Sequence, residues 1–182
     1  GISTALPRHR DRGDMNGDMN TERKTVATHS FEISTHLSAP AELVWQHATD
    51  MGGVNGELQP LLRMTVPAGL AGATIADLPL GRRVGRSWLL LFGLLPVDFD
   101  DLTIAERGPG YRFLEKSAML TQSCWEHERL VRPLDGGCTV TDRLRWRGRV
   151  APLGALYRLA VPILCRHRHR RLRRRFGAPT YD

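Results

Sequence analysis

From Thr25 to Leu37 (TVATHSFEISTHL) β-branched and apolar residues alternate loosely with polar ones, the two-residue period of a first strand. The period then changes. Pro40 opens a helix in which Ala41, Val44, Ala48 and Met51 recur at helical spacing as one buried stripe, and Gly52 and Gly53 are expected to end it. A short second helix is expected from Val54 to Arg63, interrupted by Pro60. Thr65 to Gly81 is rich in glycine and proline and reads as loop.

From Arg82 to Val150 the pattern becomes strands of about ten residues, separated by turn signals at Gly93 to Pro96, Gly108 to Gly110, Ala118 to Thr121 and Asp135 to Gly137. An antiparallel meander is the simplest topology. In the last turn, Asp135 and Gly136 are placed at the centre of a two-residue type I′ hairpin. That register sets Val131 opposite Val140, Arg129 opposite Asp142, His127 opposite Leu144 and Trp125 opposite Trp146 on one face. The other face pairs Glu128 with Arg143 and Glu126 with Arg145, whereas a one-residue slip sets Glu128 against Asp142. Charge and apolar pattern therefore select the same pairing.

The last element is a long helix from about Pro152 to Phe176. Leu153, Leu156, Tyr157, Ala160, Val161 and Leu164 form its upstream stripe, with Pro162 on the opposite side, able to bend the helix without entering the contact. Cys165, Leu172 and Phe176 form a downstream stripe rotated by roughly a third of a turn. A bend or a change of packing partner is expected there.

With 41% hydrophobic residues, a chain of 182 residues supports one good core. The expected organisation is a disordered tail over residues 1–25, a single domain over 26–177 and a short end over 178–182. The tail carries GDMNGDMN, which lacks the turn glycine and closing glutamate of a calcium loop, and an Arg12-Gly13-Asp14 tripeptide that reads as chance. Cys124, Cys138 and Cys165 lack metal-ligand spacing and suit a reducing cytoplasm. No phosphate cradle, nucleophile elbow or zinc-spaced histidine pair occurs, so neither cofactor nor metal is expected. No charged start followed by an apolar run is found, and the longest apolar run, Trp88 to Val97, is about half of a bilayer span.

Seven arginines lie within Arg166 to Arg175 (RHRHRRLRRR), and the formal net charge of the chain is also +7. The other residues balance, 19 basic against 19 acidic. Following an apolar helix directly, the segment reads as that helix's solvated end, with His167 and His169 part of it. A contact with anionic lipid or nucleic acid through Arg166 to Arg175 is the competing interpretation. The excess of arginine over lysine, 24 to 2, reflects codon bias in a high-GC genome more than a binding signal.

The order of strand, two short helices, meander and long closing helix is similar to the helix-grip fold of the START/SRPBCC superfamily, and particularly to its bacterial members of unassigned role. The resembling segments are THLSAPAELVWQHATD, ELQPLLRMTVP, GRSWLLLFGLLPVDFDDL, FLEKSAMLTQSCWEHERLV, CTVTDRLRWRGRV and RHRHRRLRRRF, together spanning Phe31 to Phe176. The resemblance implies an α+β domain whose curved antiparallel sheet wraps the terminal helix around a pocket for an apolar or aromatic small molecule. It leaves activity open, because lipid carriers, polyketide cyclases, hydratases and binding proteins share this fold. A ligand cavity of about 300 Å³, left dry at about 24 cal/mol per Å³, costs roughly 7 kcal/mol, comparable with a domain's whole stability. A real cavity therefore holds ligand or water, or collapses.

On this reading the walls come from Trp88, Leu90, Phe92, Phe113, Trp125, Leu144, Trp146, Tyr157 and Val161. Trp88 to Phe92 is apolar on both faces and is expected to touch both the cavity and another element. His127, Arg129 and Asp142 are ionisable groups on an apolar face, costly unless paired. They read either as a polar handle for a ligand's carboxylate, phenol or carbonyl, or as a self-satisfied salt bridge with His127 packed between tryptophans. Glu115 alternates with Phe113, and Ser117 follows at the same parity. Facing inward, Glu115 forms with His127 an acid–base pair suited to enolisation or dehydration; otherwise it is a rim or surface glutamate. Asp98, Asp100 and Asp101 read as a solvated strand end. A hydrophobic-ligand carrier or sensor is the leading expectation, and a polyketide cyclase or dehydratase using His127 and Glu115 is the enzyme alternative.

Overall fold

A computed structural model of the chain describes residues 26–178. The tail read over residues 1–25, and all but the first residue of the end read over 178–182, lie outside the described residues. Seven strands form one antiparallel sheet: β1 (His29–Leu37), β2 (Leu62–Met64), β3 (Arg83–Leu91), β4 (Leu95–Arg107), β5 (Tyr111–Met119), β6 (Gln122–Leu134) and β7 (Gly137–Gly148). Their spatial order is β1-β7-β6-β5-β4-β3-β2. Helices α1 (Ala41–Thr49) and α2 (Met51–Leu58) follow β1, and α3 (Ala151–Phe176) ends the domain. The sheet curls around α3, the expected α+β helix-grip arrangement.

The β6–β7 register is the one set by charge and hydropathy. Trp125 faces Trp146, His127 faces Leu144, Arg129 faces Asp142 and Val131 faces Val140. On the outer face Arg143 donates to Glu128 at 3.1 Å and to Glu32 of β1 at 2.8 Å, so the ionic surface continues across three strands. The turn differs in type. Leu134 pairs with Gly137, giving the two-residue loop, but the positive φ falls on Gly136 alone (78°). This pattern fits a type II turn rather than type I′. Loop length, not turn type, carried the register.

The helix boundary also moves. α1 ends at Thr49, and Asp50, in extended conformation, caps α2 by accepting a hydrogen bond from the Gly53 N–H at 2.9 Å. Gly52 and Gly53 therefore lie inside α2 instead of ending α1. Gly53 is required by proximity: a Cβ there would stand 1.8 Å from the His47 carbonyl oxygen. α2 stops at Leu58 because Gln59 precedes Pro60 and takes the extended backbone that position favours. The stretch Thr65 to Gly81 is largely loop, with one 3₁₀ turn at Ile75–Asp77.

α3 continues through Pro162 and changes partner along its length. Its middle, with Val161 and Cys165, packs on Leu144 and Trp146; farther on, Leu172 joins Leu37, Val44, Val131 and Val140. A separate cluster of Leu78, Leu102, Ile104 and Phe113 fills the far side of the sheet's concave face. Between these packed regions the layers stand apart.

Candidate functional site

The gap is a cavity of about 600 Å³. Its walls come from α2 (Val54, Leu58), the loop before β3 (Leu70, Ile75, Leu78), the inward residues of β3 to β7, and α3. All six residues of the upstream α3 stripe, Leu153, Leu156, Tyr157, Ala160, Val161 and Leu164, line it. They form an apolar stripe because the helical repeat brings them to one side, and the cavity is what that side faces.

Polar groups gather at one part of this wall. Glu115 and His127 sit opposite each other on β5 and β6, both line the cavity, and a Glu115 carboxylate oxygen lies 3.8 Å from His127 Nδ1. The Ser117 hydroxyl donates to Glu115 at 2.8 Å. Asp100 of β4 lines the cavity beside them. Burial and the neighbouring Glu115 charge hold Asp100 well above the ordinary carboxyl range. Glu115 is also pushed up by burial, but the attraction of the nearby His127 outweighs this and holds it below the ordinary value. Burial depresses His127, while its hydrogen bond to Asp142 and the nearby Glu115 carboxylate more than compensate and raise it. Burial thus favours the neutral form of Asp100, while mutual attraction favours the ionised forms of Glu115 and His127, all beside one apolar space.

Behind it lies a solid ionic network. Arg129, fully buried, donates from Nε and Nη2 to Asp142 at 2.7 Å each and from Nη1 and Nη2 to Glu57 of α2 at 2.8 and 2.9 Å. Arg168 of α3 donates to the same Glu57 at 3.0 Å. His127 and His169 each reach Asp142 at 3.0 Å. Burial opposes ionisation of Asp142 and Glu57, yet the adjacent guanidinium charges hold both low, Asp142 very low. Three helices and two strands meet in this knot, since His47 of α1 lies 3.8 Å from Glu57.

Of the residues expected around the pocket, Phe92, Phe113, Trp125, His127, Leu144, Tyr157 and Val161 line the cavity. Trp88 and Leu90 do not: Leu89 and Leu91 take the inner face of β3, and the other parity points outward. Trp146 has the expected parity but is covered by Val161 and Cys165, so it is core. Arg129 and Asp142 are also absent from the wall, their hydrogen-bonding capacity spent on each other, Glu57 and the histidines. His169 is not part of the solvated basic end, being fully buried on Asp142. The aspartates are not a solvated strand end either. Asp98 is buried, accepts from the Leu120 N–H at 2.9 Å and the Tyr157 hydroxyl at 2.5 Å, and pins α3 to the β5–β6 turn. Only Asp101 is outward, paired with Arg86 and Arg83.

Asp100, Glu57 and Arg168 were not among the expected site residues. The parity of β4 places Asp98 and Asp100 with the buried Leu102 and Ile104, the one sequence signal that favoured them. Among the described residues, no group of three or more histidine, cysteine, aspartate or glutamate side chains is arranged to hold a metal ion. No helix there is long and apolar enough to cross a membrane.

Solved structures share this architecture. A Chromobacterium violaceum protein superposes with a TM-score of 0.62 at 16% identity, covering 82% of this chain and 98% of its own. A START superfamily protein from Mycobacterium smegmatis gives 0.58 at 11% identity over 81% and 97%. The Zhui aromatase/cyclase from a Streptomyces species gives 0.54 at 14% over 81% and 96%. At these identities the likeness fixes the fold, the helix-grip arrangement, and no more. No protein of curated function matches the chain in sequence. The sequence model of one family, described as a domain of unknown function (DUF8410), matches residues 35–176, nearly the whole helix-grip domain, and the chain belongs to that family.

Proposed function

We propose that the chain binds a hydrophobic or aromatic small molecule between the sheet and α3, as a carrier or sensor. The observation carrying this reading is the cavity itself, about 600 Å³ with walls that are apolar except at Asp100, Glu115, His127, Arg168 and a few hydroxyls. A dry void of that size would cost about 14 kcal/mol at 24 cal/mol per Å³, more than most domains possess. The space is suited to a guest, and drug-sized ligand pockets are of this volume. A START superfamily member and an aromatase/cyclase with the same fold support the class of ligand.

The polar end narrows the chemistry. With Arg129 and Arg168 both paired to Glu57, a ligand meets Asp100, whose neutral form burial favours, beside the Glu115–His127 pair, so a neutral carbonyl or phenol suits it better than a carboxylate. Native mass spectrometry of the purified chain, with organic extraction, should release an apolar molecule. Ala160→Trp, on the exposed part of α3 that borders the space, should block uptake of Nile red with the fold retained. Unaltered dye binding in that variant sinks the proposal.

A second reading is favoured by one observation, the placement of Glu115 and His127 in the same cavity 3.8 Å apart. The pair can remove and return a proton at a substrate's activated carbon, as cyclisation and dehydration of polyketide-like substrates require. Turnover of such a substrate that is lost in both Glu115→Gln and His127→Gln would establish it.

A further inference from the structure

Trp88 to Val97 (WLLLFGLLPV) is apolar without interruption. It folds as the end of the β3–β4 hairpin, where Leu89, Leu91 and Val97 face the cavity and Trp88 and Leu90 face away. The second packing partner that two apolar faces require is absent among the described residues, since Trp88 remains 42% exposed and Leu94 and Leu95 at the tip are 85% and 60% exposed. Phe92 holds a φ of 52°, a conformation L side chains rarely adopt, and is 64% exposed.

α3 offers a matching face. Leu156, Leu159 and Ile163, each more than half exposed, stand at successive turns. Arg166, Arg170 and Arg174, all exposed, continue the same stripe toward the C-terminus. One side of a helix about 39 Å long is therefore apolar for half its length and basic for the rest. The halves of this surface meet at the cavity opening, because Phe92 and Val97 of the hairpin and Leu156 and Ile163 of α3 line the cavity while remaining exposed.

We propose that this surface docks on an anionic bilayer, the β3–β4 hairpin and upstream α3 entering the interface and the arginines resting on lipid headgroups. The inference rests on the pocket reading above and extends it: the guest passes between bilayer and cavity through an apolar mouth without crossing water. Each part has a reason to prefer this partner. An indole at the edge of an apolar tip suits the headgroup boundary, and clustered arginines are drawn to anionic leaflets. A second copy brings its own arginine stripe and a net charge of +7, which opposes self-association. A nucleic acid has no use for the leucines.

The test is flotation with vesicles of phosphatidylcholine alone or mixed with phosphatidylglycerol, alongside Nile red titration without vesicles. The native chain should bind the anionic vesicles at least about tenfold more tightly than the neutral ones, and salt should weaken the contact. Trp88 emission should shift to the blue on binding, a change missing in Trp88→Phe. Leu94→Glu/Leu95→Glu, at tip positions outside the cavity wall, should lose flotation and keep Nile red affinity. Arg166→Gln/Arg170→Gln/Arg174→Gln should reduce binding to the neutral-vesicle level. The proposal is overturned by no flotation on anionic vesicles, or by equal flotation of the leucine variant. Salt-dependent DNA binding that the leucine variant retains, without flotation, assigns the arginines to nucleic acid; a dimer that the leucine substitutions dissociate assigns the surface to a second copy. Expected flotation with no Nile red uptake leaves docking intact and defeats the pocket reading alone.

Discussion

Glu57 accepts from both Arg129 and Arg168, which lie 72 and 111 residues away along the chain. Removing a partner from a buried charged set leaves the others unpaired, at about 3–5 kcal/mol. Glu57→Gln should therefore lower the unfolding free energy by roughly that amount in urea titration, far more than a surface exchange would. Asp100 behaves oppositely. Its folded-state pKa is raised above the ordinary aspartate value, so its contribution is fully present below that value and is lost as pH rises through the raised one. Asp100→Asn should accordingly be more stable than the native chain at neutral pH, and the advantage should vanish below about pH 4. Chemical denaturation across that range measures both. At this scale His127, Arg129 and Asp142 were legible as polar residues on an apolar face, and one of the two open interpretations, a self-satisfied salt bridge, describes Arg129 and Asp142. Their partners Glu57 and Arg168 were not legible, because no local period links residues brought together only by packing.

Among the elements, the β6–β7 hairpin was readable to the residue, since opposite charges on one face and aromatic pairs on the other both vanish if the register slips. β3 was readable as a strand but not in its parity. Trp88 to Leu91 is apolar on both faces, which obscured the nearest marker of the outside, Arg86 two residues before Trp88 and paired with Asp101, and the register shifts between Leu89 and Leu90. The glycines after α1 misled for another reason: Gly53 is there for close approach to His47, not as a stop signal. Gly53→Ala should destabilise by about 3 kcal/mol or more through overpacking, although an open helix gains about 1 kcal/mol from the same change. A thermal melt distinguishes the two signs.

For the molecule as a whole, the cavity links stability to occupancy. A guest that binds only the folded state stabilises it by about 2.7 kcal/mol at a hundred times its dissociation constant. Adding the extracted ligand, or Nile red, should raise the melting temperature of the native chain and leave Ala160→Trp unmoved. The sequence by itself determined the order of elements apart from β2, which starts where a helix to Arg63 was expected, and also the meander, the sidedness of β6 and β7 and the apolar stripe of α3, because each is written in local periods and nearest cross-strand pairs. Only the tertiary structure decided which apolar residues are wall and which are core. Trp125 and Trp146 share a face of the sheet and a pattern, and both meet α3, but Trp146 is fully buried among Leu144, Val161 and Cys165 whereas Trp125, edge-on to Tyr157, borders the cavity. Whether a buried side chain meets a neighbour or an empty space depends on the distance between layers, and that distance is set by packing across the whole domain.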